Sequence, residues 1–250
     1  MIKFGTDGYR AILGKDFTFE IVGKIAQAHA DSLKKREGKK VIVGYDTRFM
    51  SKDFAEVVGE VFSSNGFEVI LSKTVCTTPA LSYAVKQLNA DEGVMITASH
   101  NGYRYNGYKI KGSYGGPATP EIIKSVEDNI GKSEVKTGKK EWQYFDVNDL
   151  YLNAIKSYFD HSTFRQKQLK LVHDPMFATS IGVYNKLLED TFIEVNQVNY
   201  FKDPYFGFHH PEPIDKNLSL LKAKVIATES DIGIANDGDS DRVGIVAENG

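Results

Sequence analysis

Short apolar runs rich in β-branched residues recur along this chain, and most are followed by a stretch of helical periodicity. Val41–Asp46, Glu68–Leu71, Glu92–Thr97 and Gly107–Lys111 read as strands in the first half. Lys170–His173, Ile193–Val198, Asp231–Ala235 and Arg242–Ala247 read as strands in the second. Between them, Thr18–Lys35, Ser51–Ser64, the segment opened by Pro79, the segment opened by Thr119-Pro120-Glu121, Asp146–Phe159, Ala178–Leu188 and Lys216–Leu221 place apolar residues at helical spacing. Strands alternating with helices specify an α/β fold with largely parallel sheets. The polar, lysine-rich stretch Lys132–Lys140 interrupts the pattern, which then restarts, so two such domains are expected. In open α/β sheets, ligands bind at loops after the carboxyl ends of strands.

Composition narrows the function classes. The chain has 250 residues, 41% hydrophobic and 26% charged, an ordinary globular mix. With 31 basic and 33 acidic residues the net charge is −2, so no excess positive charge speaks for nucleic acid or an anionic membrane. The basic run Lys34–Lys40 includes Gly38 and reads as a solvated turn after a helix. One cysteine, Cys76, excludes a disulfide framework or a cysteine zinc site within the chain and fits a reducing, cytoplasmic setting. No apolar run approaches the roughly 18 residues of a membrane span, and the N-terminus lacks the apolar core of a signal peptide.

Three segments carry chemistry. In Asp237-Gly238-Asp239-Ser240-Asp241-Arg242, three carboxylates alternate over five residues. Such density is costly unless a cation neutralises it, and oxygen-only ligands suit Mg²⁺ or Ca²⁺; read alone, the segment also fits a solvated acidic turn. An EF-hand is excluded, because its sixth position needs glycine and here is Arg242, between strand-like flanks. A bound cation would keep a position open for a phosphate oxygen, with Arg242 beside it to grip phosphate. The second segment, Thr97-Ala98-Ser99-His100-Asn101, ends a buried strand. Ser99 is well placed as a nucleophile or phosphate carrier and His100 as a proton-transfer group; equally, Ser99 could cap a helix and His100 lie exposed. No Gly-x-Ser-x-Gly elbow is present, which argues against a hydrolase triad. Lys109 follows on the next strand, where a solvated surface charge is the plainer reading. The third segment, Gly5-Thr6-Asp7-Gly8-Tyr9-Arg10, fits a tight glycine loop and matches neither a Walker nor a Rossmann pattern.

Together these segments resemble the α-D-phosphohexomutases, the family of phosphoglucomutase and phosphomannomutase, and the resemblance runs along the whole chain. Gly5–Arg10 is similar to the family's N-terminal signature, Thr97–Asn101 to its phosphoserine loop with Asn106-Gly107-Tyr108-Lys109 as continuation, and Asp237–Arg242 to its metal loop. The resemblance implies two consecutive three-layer α/β/α domains with mixed, mainly parallel sheets, domain I over 1–142 and domain II over 143–250. It implies that Ser99 carries the phosphoryl group, that Asp237, Asp239 and Asp241 bind Mg²⁺ together with an oxygen of the Ser99 phosphate, that Arg10 and Arg242 contact the phosphoserine or substrate, and that His100 and Lys109 assist proton transfer. The implied reaction moves phosphate between O1 and O6 of a hexose phosphate, glucose or mannose, through a 1,6-bisphosphate, with a glucose 1,6-bisphosphate-type activator. Two departures stand out. The family usually follows His-Asn with proline, where this chain has Gly102-Tyr103; after Asp174-Pro175-Met176 it usually has histidine and glycine, where this chain has Phe177-Ala178.

The family's sugar-recognition loop (Gly-Glu-x-Ser-Gly) and C-terminal phosphate loop (Ser-Gly-Thr) are absent from these residues. The expectation is therefore the N-terminal half of a mutase, lacking domains III and IV and inactive alone. The alternatives are a short sugar-phosphate or metal-binding module, and a metal-dependent phosphatase using Asp237 as nucleophile, which would leave Ser99 without a task.

Overall fold

The computed structural model describes residues 2–158, 163–164 and 168–250. The chain divides into two compact units. The first takes the chain up to Asp46, then Met50–Ala98 and Arg104–Val147; the second takes Thr47–Phe49, Ser99–Tyr103 and the chain from Asn148 onward. Relative to the division expected after residue 142, the first unit runs further because a short strand at Gln143–Phe145 pairs with Ile70–Ser72. Two loops from the first unit's strand ends also cluster with the second.

The first unit contains β1 (Tyr9–Ile12), α1 (Phe19–Lys35), β2 (Lys40–Tyr45), α2 (Ser51–Ser64), β3 (Glu68–Ser72), α3 (Thr78–Gln87), β4 (Glu92–Ile96), β5 (Tyr105–Gly112), α4 (Pro120–Asn129) and β6 (Gln143–Phe145). Its sheet has the order β1-β5-β4-β2-β3-β6. Only β5 runs against its neighbours; β2, β3, β4 and β6 pair in parallel. The sheet is buried on both faces. Val41, Val43 and Tyr45 of β2 join the core formed with α1 and α2. Gly44, between them, faces α3, where a Cβ would stand 2.6 Å from Cys76 Sγ and 3.1 Å from Leu81. Helix starts follow their sequence signals: Thr18, Thr77 and Thr119 cap α1, α3 and α4 with their hydroxyls, and Pro79 and Pro120 occupy first turns. The basic run after α1 is not wholly solvated: Arg36 bonds Glu92 at 2.6 Å. Glu92 is 1% exposed and also meets His29 at 2.5 Å, and His29 continues to the Tyr108 hydroxyl at 2.9 Å. Burial alone would raise the Glu92 carboxyl, but His29 and Arg36 hold it below the usual carboxylate range.

The second unit contains α5 (Val147–Tyr158, its first residue in the first unit), β7 (Lys170–Asp174), α6 (Val183–Leu187), β8 (Glu194–Gln197), α7 (Ser219–Ala227), β9 (Ile232–Asn236) and β10 (Val243–Ala247). Phe159, the last residue of the helix expected from Asp146, lies outside the described residues. The sheet order is β10-β9-β7-β8, parallel except for β10. Val172, Leu221, Val225 and Ala235 form its core. Two helices differ from expectation. The one expected over Ala178–Leu188 is helical only from Val183, because Gly182 precedes it at φ +74°. The one expected over Lys216–Leu221 becomes a short 3₁₀ turn at Asp215–Asn217 followed by α7. Phe177 takes a left-handed φ of +61° and packs its ring on Phe201 at 5.0 Å. The short strands β1 and β6 have no counterpart among the expected elements. Among the described residues, no helix is long and apolar enough to cross a membrane.

Buried Glu92 and His29, with Arg36 reaching in from the surface, give a test of the first unit. Removing one partner of a buried charged network leaves the others unsatisfied. Glu92→Ala is expected to cost about 3–5 kcal/mol in urea unfolding; a cost near zero would show that the network does not hold α1 to the sheet.

Candidate active site

β4 and β9 each end in a loop at the carboxyl edge of a parallel pair, and these loops hold the two sharpest motifs. After β4 the chain passes Thr97 and Ala98 and turns at Ser99, whose φ is +52°. A non-glycine residue in this left-handed region costs about 1–3 kcal/mol and persists only where surroundings over-determine it. Ser99 is 3% exposed, and its Oγ donates to Asp237 Oδ2 at 2.9 Å. Arg242 Nη2 lies 3.4 Å from the same Oγ. The serine hydroxyl is thus held between a carboxylate and a guanidinium, rather than capping a helix.

Asp237 organises the turn that follows β9. Its Oδ1 accepts from the backbone N–H groups of Asp241 and Arg242, both at 3.1 Å. Its Oδ2 accepts from Arg242 Nε and Nη2 at 3.1 and 3.0 Å. Gly238 makes the loop's closest backbone approach: a Cβ there would collide with the Ser99 carbonyl oxygen and stand 3.2 Å from Pro211. Ser240 is left-handed at φ +61°, with its hydroxyl 2.7 Å from Thr179 Oγ1. The turn brings one carboxylate oxygen each from Asp237, Asp239 and Asp241 within 4.8 Å of one another, with Asp237 and Asp239 fully buried. Burial, then the neighbouring Asp239 and Asp241 charges, push the Asp237 carboxyl up to about 7 against the pull of Arg242 and Ser99. Three oxygen ligands converging this closely, two of them from fully buried carboxylates, fit a hard divalent cation such as Mg²⁺, and the solvated acidic turn is not what the structure shows.

Two residues of this site carry no sequence signal that singled them out. Glu212 lies between His100 and Arg242, 3.9 Å from His100 Nε2 and 3.5 Å from Arg242 Nη1. Arg48, just past β2, is 3% exposed and donates to three carbonyl oxygens of the serine loop: Ser99 and Asn101 through Nη2 at 2.6 and 2.7 Å, Gly102 through Nη1 at 3.1 Å. Its position after a central strand, where open sheets place functional loops, was the available clue.

The remaining expected residues stand in the first unit. Lys109 of β5 is fully buried, not a solvated surface charge, and its Nζ lies 2.6 Å from Asp7 Oδ2. Arg10 of β1 reaches the same oxygen at 3.4 Å. The N-terminal glycine loop is tight: Gly5 N–H donates to Gly8 O at 2.9 Å. So the second unit gathers Ser99, His100, Asp237, Asp239, Asp241 and Arg242, and in the first unit Arg10 and Lys109 meet at Asp7.

Comparison with known proteins covers nearly the whole chain. The family model described as phosphoglucomutase/phosphomannomutase alpha/beta/alpha domain I matches residues 1–136, and that of domain II matches residues 149–250. The phosphoglucosamine/phosphogalactosamine mutase of Sulfurisphaera tokodaii is 34% identical over 249 residues, covering 96% of this chain and 53% of the relative. The phosphoglucomutase/phosphomannomutase of Thermococcus kodakarensis is 33% identical over 254 residues, covering 99% and 55%. A crystal structure from Thermus thermophilus, bearing the name of a phosphomannomutase, superposes with a TM-score of 0.94 at 34% identity, over 99% of this chain and 57% of that one. The chain spans about half the length of the curated relatives it matches.

Because the Asp237 carboxyl sits near 7 without metal, a bound cation must displace its proton as the pH falls below that value. Mg²⁺ affinity measured by calorimetry is expected to fall by up to about tenfold per pH unit on going down from pH 7. Asp237→Asn is expected to weaken binding and flatten that dependence; unchanged affinity between pH 8 and 6 would contradict the assignment.

Proposed function

Given that the chain belongs to the phosphoglucomutase/phosphomannomutase family, we propose that it supplies the phosphoryl-transfer half of a phosphohexomutase, with Ser99 as the phosphoserine. The observation that carries this reading is the Ser99 hydroxyl, held in a left-handed turn 2.9 Å from Asp237 beside the acidic turn. A hydroxyl meant only to cap a helix needs neither the strain nor the carboxylate.

In this reading the phosphoserine gives its phosphoryl group to a hydroxyl of a hexose phosphate. The Ser99 Oγ–P bond breaks, a sugar O–P bond forms, and the sugar hydroxyl proton passes to a base. Ser99 takes up a proton as it leaves and is rephosphorylated from the other end of the bisphosphate, so phosphate moves between O1 and O6. Asp237, Asp239 and Asp241 would hold Mg²⁺ with an oxygen of the Ser99 phosphate, and that cation would supply charge neutralisation for the transferring group. Arg242, already against Ser99 and Asp237, orients the phosphoryl group. His100, set by Glu212, and Lys109, set by Asp7, are assigned to proton movement, and Arg10 to the phosphate. Lys109, ion-paired to Asp7, gives up a proton before it accepts one.

The substrate is read as a glucose or mannose phosphate, with a glucose 1,6-bisphosphate-type activator. Relatives named for glucosamine phosphate are as similar as those named for glucose and mannose, so a panel of all three sugars is the proper assay. Because the relatives are about twice as long, labelling of Ser99 without sugar-phosphate isomerisation is expected of these 250 residues.

Intact mass spectrometry after incubation with glucose 1,6-bisphosphate and Mg²⁺ tests the reading. A gain of about 80 Da, one phosphoryl group, is expected in the parent chain and none in Ser99→Ala. No gain in the parent, or the same gain in Ser99→Ala, would overturn it. Label found on Asp237 instead would revive the phosphatase reading.

A further inference from the structure

The serine loop does not hold its own shape. Ser99 stands at φ +52°, and the loop Ser99–Tyr103 contains glycine where the family's pattern has proline. What spans the loop is one buried side chain. Arg48 donates to the carbonyl oxygens of Ser99, Asn101 and Gly102, at 2.6, 2.7 and 3.1 Å. Its guanidinium carbon lies 4.8 Å from the centre of the Phe206 ring. Phe206, 1% exposed, belongs to a run of three left-handed residues, Phe206, Gly207 and Phe208, at φ +54°, +60° and +62°. A planar guanidinium can fan its N–H groups to several acceptors while its carbon lies over a ring, which an ammonium cannot.

The three acceptors also fix the peptide planes. No peptide bond here is cis, so each carbonyl turned toward Arg48 turns the next N–H away from it. The His100, Gly102 and Tyr103 amides therefore face away from the cation.

We infer that Arg48 is a positioning residue: it fixes the strained serine loop from behind and so places Ser99 Oγ against Asp237 for phosphoryl transfer. This rests on the reading of Ser99 as the phosphoserine. Through its bonds to three carbonyl oxygens, Arg48 acts on the loop's backbone. Phe206 backs the guanidinium from the other side of its carbon.

The test follows the rate of Ser99 phosphorylation by glucose 1,6-bisphosphate and Mg²⁺, by intact mass, in the parent chain, Arg48→Lys, Arg48→Ala, Phe206→Leu and Leu221→Ala. Leu221 is a fully buried core residue of the second unit and serves as a stability control. Arg48→Lys keeps the charge but loses the fork, and is expected to lower the maximal labelling rate by about 100-fold, the scale of a misplaced reacting group. The half-saturating bisphosphate concentration should stay unchanged. Phe206→Leu should fall between, and Leu221→Ala should lower the melting temperature without changing the rate in the folded range. Added guanidinium at millimolar concentration should restore part of the rate in Arg48→Ala. Arg48→Lys labelling at the parent rate, with the parent labelled, would overturn the role of Arg48 and leave the phosphoserine reading standing. A rate loss in Leu221→Ala equal to that in Arg48→Lys would reduce Arg48 to a stability residue. An unlabelled parent would remove the phosphoserine reading itself, and this inference with it.

Discussion

Asp237 is fully buried, yet its two oxygens accept hydrogen bonds from the Ser99 hydroxyl, two backbone amides and the Arg242 guanidinium. A lone carboxylate in such a place would be expensive, and Asp239 and Asp241 add charge beside it. That concentration of negative charge ties the acidic turn to a cation and, through the Ser99 bond, to the serine loop. The rest of the second unit follows from keeping these groups together: β9 delivers the aspartate, Gly238 lets the two backbones approach, and Thr179 pins Ser240.

Left-handed non-glycine residues occur all along the chain, and two of them lie where the chemistry is placed. Ser99 and Ser240 are both left-handed without being glycine. Neither conformation is chosen by local propensity, so each depends on tertiary partners: Arg48 behind the serine loop, Thr179 and Asp237 within the acidic turn. The departure from the family at Gly102 is absorbed in the same way. The His210 ring lies 3.4 Å from where a Cβ at that position would be, and the Gly102 carbonyl is taken up by Arg48. A looser residue is compensated by side chains from elsewhere in the unit.

Much of this was legible in the sequence, for physical reasons. Long periodic segments such as α1 and α2, and β-branched runs such as β2 and β4, are dictated by burial on known faces. Threonine caps and first-turn prolines set helix starts locally. The aspartate alternation advertised its chemistry because like charges at that density need a cation. What the sequence did not show depended on partners far along the chain. The four-residue β1 and three-residue β6 exist because β5 and β3 offer unpaired edges. Lys109 looks like a surface lysine until Asp7, more than a hundred positions earlier, is brought against it. Arg48 and Glu212 have unremarkable neighbours in sequence, and their roles arise only from the loops folded over them. The helix expected over Ala178–Leu188 failed at Gly182, where a left-handed residue outweighed the apolar spacing.

The central claim is that the Ser99 phosphate and the cation of the acidic turn occupy one site. Electron–nuclear double resonance on the phosphorylated chain loaded with Mn²⁺ in place of Mg²⁺ tests this directly. A strong ³¹P coupling to the bound Mn²⁺, present in the parent and lost in Ser99→Ala with Mn²⁺ still bound, is the predicted result. Mn²⁺ held by the aspartates with no ³¹P coupling in the phosphorylated protein would contradict it.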